Sequence, residues 1–177
     1  MIELPDEASR DLKTTALCLG VQGKDTDDMP WRGQKMELYE GGHRVPMIVS
    51  WPGRIPPGVT DEVAHSNDLF PTLLGLSGTN PVESDGIDLA PLWTGREALP
   101  ERDLFWRTMS HRAVRSGPWK LVASLRDGVQ PELYNLEDDP GEQRNLAKEK
   151  PATVKKLSAA WSKWEADVNL SAREYSR

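Results

Sequence analysis

Arg32-Gly-Gln-Lys35-Met-Glu-Leu-Tyr-Glu40-Gly-Gly-His-Arg44-Val-Pro-Met-Ile-Val-Ser-Trp51-Pro-Gly53 joins a charged turn directly to an apolar run. The β-branched and aromatic side chains between 45 and 51 are those of a mostly buried strand, and Pro46, which lacks an N–H, belongs at its entry. Gly41 and Gly42 predict a backbone that takes positive φ and passes close to a neighbour. Lys35, ten residues ahead of that strand, becomes a cation near a sheet edge, a placement suited to an oxyanion. The plain alternative is a solvated surface lysine, since lysine is rarely buried unless paired. Glu40 and Arg44, four apart across the diglycine, can pair to hold the turn.

Working outward, residues 1–30 combine a short apolar run at 14–21, readable as one strand, with a polar turn. After the 45–51 strand, Asn67 or Asp68 caps a helix running through Phe70 to Leu76, with Pro71 near its first turn and Gly78 ending it. From 97 to 147 the pattern is of antiparallel strands at 103–108, 112–115, 119–125 and 132–134, with turns at Ser116-Gly-Pro118 and 126–128. Val154, Leu157, Trp161, Trp164 and Val168 recur at three- and four-residue steps and predict a helix over 151–168 whose stripe covers one face of that small sheet. The two tryptophans are core residues on this reading. Three zones follow: a loosely placed 1–30, an α/β portion at 31–96, and an antiparallel subdomain with a terminal helix at 97–177.

Charge and composition narrow the function classes. With 28 acidic against 22 basic side chains, a net charge of -6 and a pI near 5.1, the chain lacks the concentrated positive charge that nucleic acid requires. No run approaches the roughly 18 apolar residues of a membrane span. Residues 1–10 are acidic without an apolar core, so no secretory signal is expected there. At 177 residues, with 37% hydrophobic residues and a mean hydropathy of -0.60, the chain is poor in apolar material for a self-contained α/β unit.

Candidate metal clusters are thin. His65, Asn67 and Asp68 offer a His-x-x-Asp pair, two ligands where a divalent site normally takes at least three, and helix capping accounts for Asn67 or Asp68 without a metal. His43 and His111 have no acidic or thiol neighbour at ligand spacing. Glu137, Asp138 and Asp139 lack the alternating spacing of a calcium loop and read as solvated turn residues.

Order, rather than spacing, is what singles out Lys35. Arg32-Gly-Gln-Lys35, Leu38-Tyr-Glu-Gly-Gly42, Arg44-Val-Pro46, Trp51-Pro-Gly53 and Asn67-Asp-Leu-Phe-Pro71-Thr-Leu-Leu74 are followed by Arg115-Ser-Gly117, Trp119-Lys-Leu121 and Leu133-Tyr-Asn-Leu-Glu-Asp-Asp-Pro-Gly-Glu142. In this order they resemble the carboxyl-terminal half of the arylsulfatase-type sulfatases, over about residues 30 to 168. The resemblance implies a partial alkaline-phosphatase-like α/β fold, with a small antiparallel carboxyl-terminal subdomain covered by a helix.

The resemblance also implies a chemistry. A formylglycine hydrate attacks the sulfur of a sulfate ester, the alcohol leaves, and a lysine touches a sulfate oxygen and the ester oxygen; that lysine corresponds to Lys35. The formylglycine arises from Cys or Ser in a Cys/Ser-x-Pro/Ala-x-Arg context. Cys18, the only cysteine, is followed by Leu-Gly-Val-Gln22 and reads as a small buried hydrophobe, so the nucleophile is expected outside this chain. The family's calcium site would draw on Asp27 and Asp28, although Asp28 stands where Asn is usual and Met29 where Gly is usual. Two ligands do not hold calcium by themselves. The expectation is therefore a fragment or truncated product of a sulfuric ester hydrolase, acting on a sulfate ester when complete, with a catalytically silent binding or structural remnant as the alternative. Oligomeric state and compartment are not legible.

Overall fold

The computed structural model describes residues 31–80, 83–126 and 128–174. The expectations that fall on 14–21, Cys18, Asp27 and Asp28 lie outside them. The chain is mixed α/β and divides into two units: Val45–Pro100, and residues 31–44 together with 101–174. Within the second unit, residues 31–44 pack with the antiparallel sheet.

In the unit Val45–Pro100, the expected strand at 45–51 is not formed; only Met47 makes an isolated bridge. Ile48 and Trp51 are exposed rather than buried on two faces. β-Branched content reports a fit to a half-buried pleated surface rather than a backbone preference of its own. A 3-10 turn, Ser66–Asp68, leads into helix α2, Leu69–Leu76, as the spacing predicts. The 3-10 turn is capped by a reciprocal box on His65: the Asn67 N–H donates to His65 Nδ1 at 3.3 Å, and the His65 N–H donates to Asp68 Oδ2 at 2.6 Å, while Asp68 at the start of α2 makes no side-chain cap bond to that helix. Asp68 Oδ1 accepts the Ile87 N–H, and the Thr72 hydroxyl accepts the Leu89 N–H, stitching the 86–89 strap, which leads into the short helix α3 (Ala90–Trp93), to α2. Both oxygens of Asp68 are therefore engaged with backbone.

In the other unit, α1 (Glu40–His43) precedes strands β1 (Asp103–Arg107), β2 (His111–Ser116), β3 (Trp119–Ser124) and β4 (Glu132–Asn135). The strands form an antiparallel meander in the order β1-β2-β3-β4, with Ala113 opposite Val122 and Lys120 opposite both Arg115 and Tyr134. Helix α4, Pro151–Glu174, runs past its expected end at 168, because neither Gly nor Pro follows Pro151. Alternation gives the sheet two faces. On one, Val114, Leu121 and Leu133 pack with Leu157, and Phe105 stacks on Trp164 at 5.2 Å between centroids. Trp161 is buried, as expected, while Trp164 is half-buried. On the opposite face, Ala113 and Val122 pack with Leu38, flanked by Tyr39 and Trp106. The sheet is thus covered by α4 on one side and by residues 31–44 on the other.

The segment after β4 returns along its outer edge. Leu146 N–H donates to the Leu133 carbonyl and Leu133 N–H donates to Asn145 Oδ1, closing an edge that would otherwise present unpaired groups. The acidic turn satisfies its own backbone: Asp139 accepts the N–H groups of Gln143 and Arg144.

Candidate functional site

Lys35 sits at the tip of a turn between Arg32 and α1, and it is exposed. The turn closes through Glu37 N–H to the Gln34 carbonyl at 2.9 Å, Gln34 N–H to Glu37 Oε2 at 2.8 Å, and Gly41 N–H to the Arg32 carbonyl at 2.7 Å. The diglycine makes that closure possible. A Cβ on Gly42 would stand 2.1 Å from the Glu37 carbonyl oxygen, and one on Gly41 would stand 2.4 Å from that of Gly33. Close approach is what these glycines supply. Positive φ falls instead on Gly33 and on Met36, beside Lys35, so the expectation of positive φ at 41 and 42 is corrected.

Two charged networks hold the ends of this turn. At its start, Arg32 donates from Nη1 to Glu132 Oε2 at 3.1 Å, to the Tyr134 hydroxyl, and to the Glu142 carbonyl at 3.2 Å, with its guanidinium 3.9 Å over the Tyr39 ring. The Tyr39 and Tyr134 hydroxyls both donate to Glu132 Oε2. Burial, with the Glu132 hydrogen bond and charge, pushes the Tyr39 hydroxyl up to about 12 and raises that of Tyr134 as well. Burial alone would raise Glu132, but the two hydroxyls and Arg32 outweigh it and leave its carboxyl below the ordinary range.

At the end of the turn lies a buried ion triad. Lys120 Nζ is 2.8 Å from Glu40 Oε1 and 2.9 Å from Glu142 Oε1, and none of the three residues is more than 1% exposed. The contact with Glu40 is a hydrogen bond; that with Glu142 is a close ion contact without hydrogen-bond alignment. The other Glu142 oxygen, Oε2, accepts the Glu40 N–H at 2.5 Å. Burial raises both carboxyls. For Glu40 the attraction of Lys120, His43 and Arg115 prevails and the net direction is down, whereas for Glu142 burial prevails and the net direction is up. Two carboxylates sharing one ammonium titrate as a pair, which is why they part in opposite directions. Arg44 lies 3.5 Å from Glu40 Oε2, so the expected Glu40–Arg44 pair is present. His43, half-buried and near the Lys120 charge, is pushed down to about 4 and is neutral at pH 7.

The structure thus separates roles that lie close together in sequence. Lys35 has an ammonium open to solvent, whereas Glu40, Lys120 and Glu142 are closed off and can hold but not react. Sequence reasoning missed Lys120 and Glu142. A signal existed for Lys120: it interrupts Trp119-Lys-Leu-Val122, a strand apolar on both faces, where a lysine must find a buried partner. Among the described residues, no group of three His, Cys, Asp or Glu side chains could hold a metal ion, and no helix is long and apolar enough to cross a membrane. The literal pattern Ser-x-Pro-x-Arg does occur once, at Ser50-Trp-Pro-Gly-Arg54, and the reading built on Cys18 passed over it. Ser50 is exposed and precedes a turn in which the Trp51 carbonyl accepts the N–H groups of Arg54 and Ile55, with the Arg54 guanidinium 5.3 Å over the Trp51 ring.

Comparison with known proteins follows the same stretch. The family model described as N-sulphoglucosamine sulphohydrolase, C-terminal, matches residues 31–165. Arylsulfatase A of Homo sapiens is 38% identical over 140 residues, covering 63% of this chain and 28% of the relative. Arylsulfatase A of Bos taurus is 34% identical over 178 residues, covering 81% and 35%. Among solved structures, the PsFucS1 sulfatase from Pseudoalteromonas sp. superposes with a TM-score of 0.62 at 23% identity, over 77% of this chain and 32% of that one. A 6S-sulf protein of Bacteroides thetaiotaomicron superposes at 0.67 and 24% identity, over 77% and 32%. Sulfatases therefore share this fold, and the chain spans about a third of the length of the curated relatives it matches.

Proposed function

The chain belongs to the N-sulphoglucosamine sulphohydrolase C-terminal family, and from that premise we propose that it forms the carboxyl-terminal portion of an arylsulfatase-type sulfuric ester hydrolase in which Lys35 contacts the sulfate. The observation that supports this most is the contrast within one turn. Arg32 and Glu40, on either side of Lys35, are spent on structural partners, while Lys35 at the tip is exposed.

An ammonium there suits the reaction. As the S–O bond of a sulfate ester breaks, negative charge grows on the ester oxygen, and a compact cation with rotatable donors can follow it. Holding the turn in advance reduces the reorganisation needed when that charge develops. Lys35 assists in this way only when a nucleophile stands across the sulfur from the leaving oxygen.

Calcium belongs to the same proposal. Asp27 and Asp28 are the candidate ligands in this chain, hard oxygen donors of the type calcium takes, and they fall short of its usual six to eight by themselves. Calcium titration of the chain, followed by the amide signals of residues 26–29, tests their part in it. The substrate proposed is a sulfate ester.

A second reading, a catalytically silent module, draws on the triad: the three most deeply buried charges of this unit serve packing. Assaying the natural polypeptide with a chromogenic aryl sulfate, with and without Lys35, separates the two.

A further inference from the structure

Glu142 touches both ends of the Lys35 turn. Its main-chain carbonyl takes the Arg32 guanidinium at 3.2 Å, and its carboxylate takes the Glu40 N–H at 2.5 Å while lying beside Lys120. Among the described residues, Glu142 alone bonds to both Arg32 and Glu40. Its backbone is also unusual: φ is +53°, the left-handed region where glycine is favoured, and Gly141 stands immediately before it. A glutamate there carries backbone strain that a glycine would avoid, so what it contributes comes through the carboxylate.

We propose that Glu142 is a positioning residue for Lys35, a clasp whose carbonyl fixes the start of the turn and whose carboxylate fixes its end. This rests on the reading of Lys35 as the sulfate contact and extends it to a residue far along the chain, at the end of the Leu133–Glu142 motif. The effect passes through α1. With the Glu40 N–H anchored, Gly41 and Gly42 lie directly beneath the Arg32, Gln34 and Glu37 carbonyls, and the turn has no room to shift without breaking those approaches. Lys120 keeps the carboxylate in place from below, and Glu40 shares the same ammonium, so side chain and N–H of Glu40 are anchored together.

Two substitutions separate clasping from stability. Glu142→Gly relieves the left-handed backbone and keeps the carbonyl, but loses the carboxylate; Glu142→Gln keeps an oxygen acceptor for the Glu40 N–H. Amide hydrogen exchange on the 177-residue chain is compared at Glu37, Glu40, Gly41 and Gly42 and at Leu121–Ala123 of β3. In Glu142→Gly the turn amides should exchange about tenfold faster, while those of β3 change by less than about threefold. Glu142→Gln should stay near the parent at both places. Turn amides unchanged in Glu142→Gly, or rising in step with β3, would overturn the clasp.

Inorganic sulfate, titrated against the Lys35 Nζ signal, supplies the functional arm. A response lost in Lys35→Ala and weakened in Glu142→Gly supports the proposal, and one undiminished in Glu142→Gly contradicts it. A parent chain with no sulfate response overturns the reading of Lys35 itself, and the exchange comparison then decides the clasp on its own.

Discussion

Lys120 Nζ lies 2.8 Å from Glu40 Oε1, with both side chains shut off from solvent and Glu142 on the other side of the ammonium. Removing the shared cation leaves two buried carboxylates facing each other. Lys120→Met should therefore destabilise this unit by about 3–5 kcal/mol, the usual cost of stranding a buried charge. Combining it with Glu40→Gln and Glu142→Gln removes the stranded charge and should recover much of that loss. Urea midpoints of the parent, the single and the triple variant check both statements.

Gly42 tests how tightly the turn is packed. Gly42→Ala places a Cβ 2.1 Å from a carbonyl oxygen, and backbone must move to admit it. The expected loss is about 2 kcal/mol or more. Gly58→Ala meets nothing within 4 Å and should shift the melting curve far less.

The sheet and α4 were legible in the sequence because their signals are local: alternation over five or six residues, and a stripe at three- and four-residue steps. The charge networks were not. Glu40 meets Lys120 across 80 positions and Glu142 across 102, and no periodicity links them. The segment at 45–51 misled for a related reason, since strand formation needs a hydrogen-bonding neighbour that composition does not reveal. Lys35 came from motif order. Its exposed place on a pinned turn came from the structure.

His43 gives a pH dependence with a definite sign. Burial, reinforced by Lys120 and Arg115 against the opposing pull of Glu40 and the Leu38 carbonyl, holds its folded pKa at about 4, below the ordinary 6.5. Between those values the unfolded chain binds the proton and the folded chain does not, so stability rises with pH across that window. The His43 contribution is on the order of 3 kcal/mol. Glu40, held below its ordinary value, adds a loss in the same direction as pH falls below about 4.5, while Glu142, held above it, opposes them. His43→Gln should flatten the rise in urea midpoint between pH 4 and 6.5; an unchanged slope would show that His43 is not its source.

The 177-residue chain by itself should not hydrolyse a chromogenic aryl sulfate. The charges beside the Lys35 turn are closed off, and Ser50, the one residue in a Ser-x-Pro-x-Arg pattern, lies exposed before a turn. An unactivated serine hydroxyl is a weak nucleophile. Purified chain with added calcium should give the buffer rate, and the peptide containing Ser50 should keep the mass of serine. Turnover that disappears in Ser50→Ala would reverse this prediction.

Lys35 in the natural polypeptide carries the central claim. The decisive measurement is kcat/KM for an aryl sulfate in parent and Lys35→Ala, each paired with a thermal melt. An exposed lysine contributes little to folding, while losing a donor to the developing charge commonly costs 10²- to 10³-fold, or about 3–4 kcal/mol. The predicted result is a loss of that order with the melt unmoved. An unchanged kcat/KM would return Lys35 to an ordinary surface cation and contradict the sulfate contact.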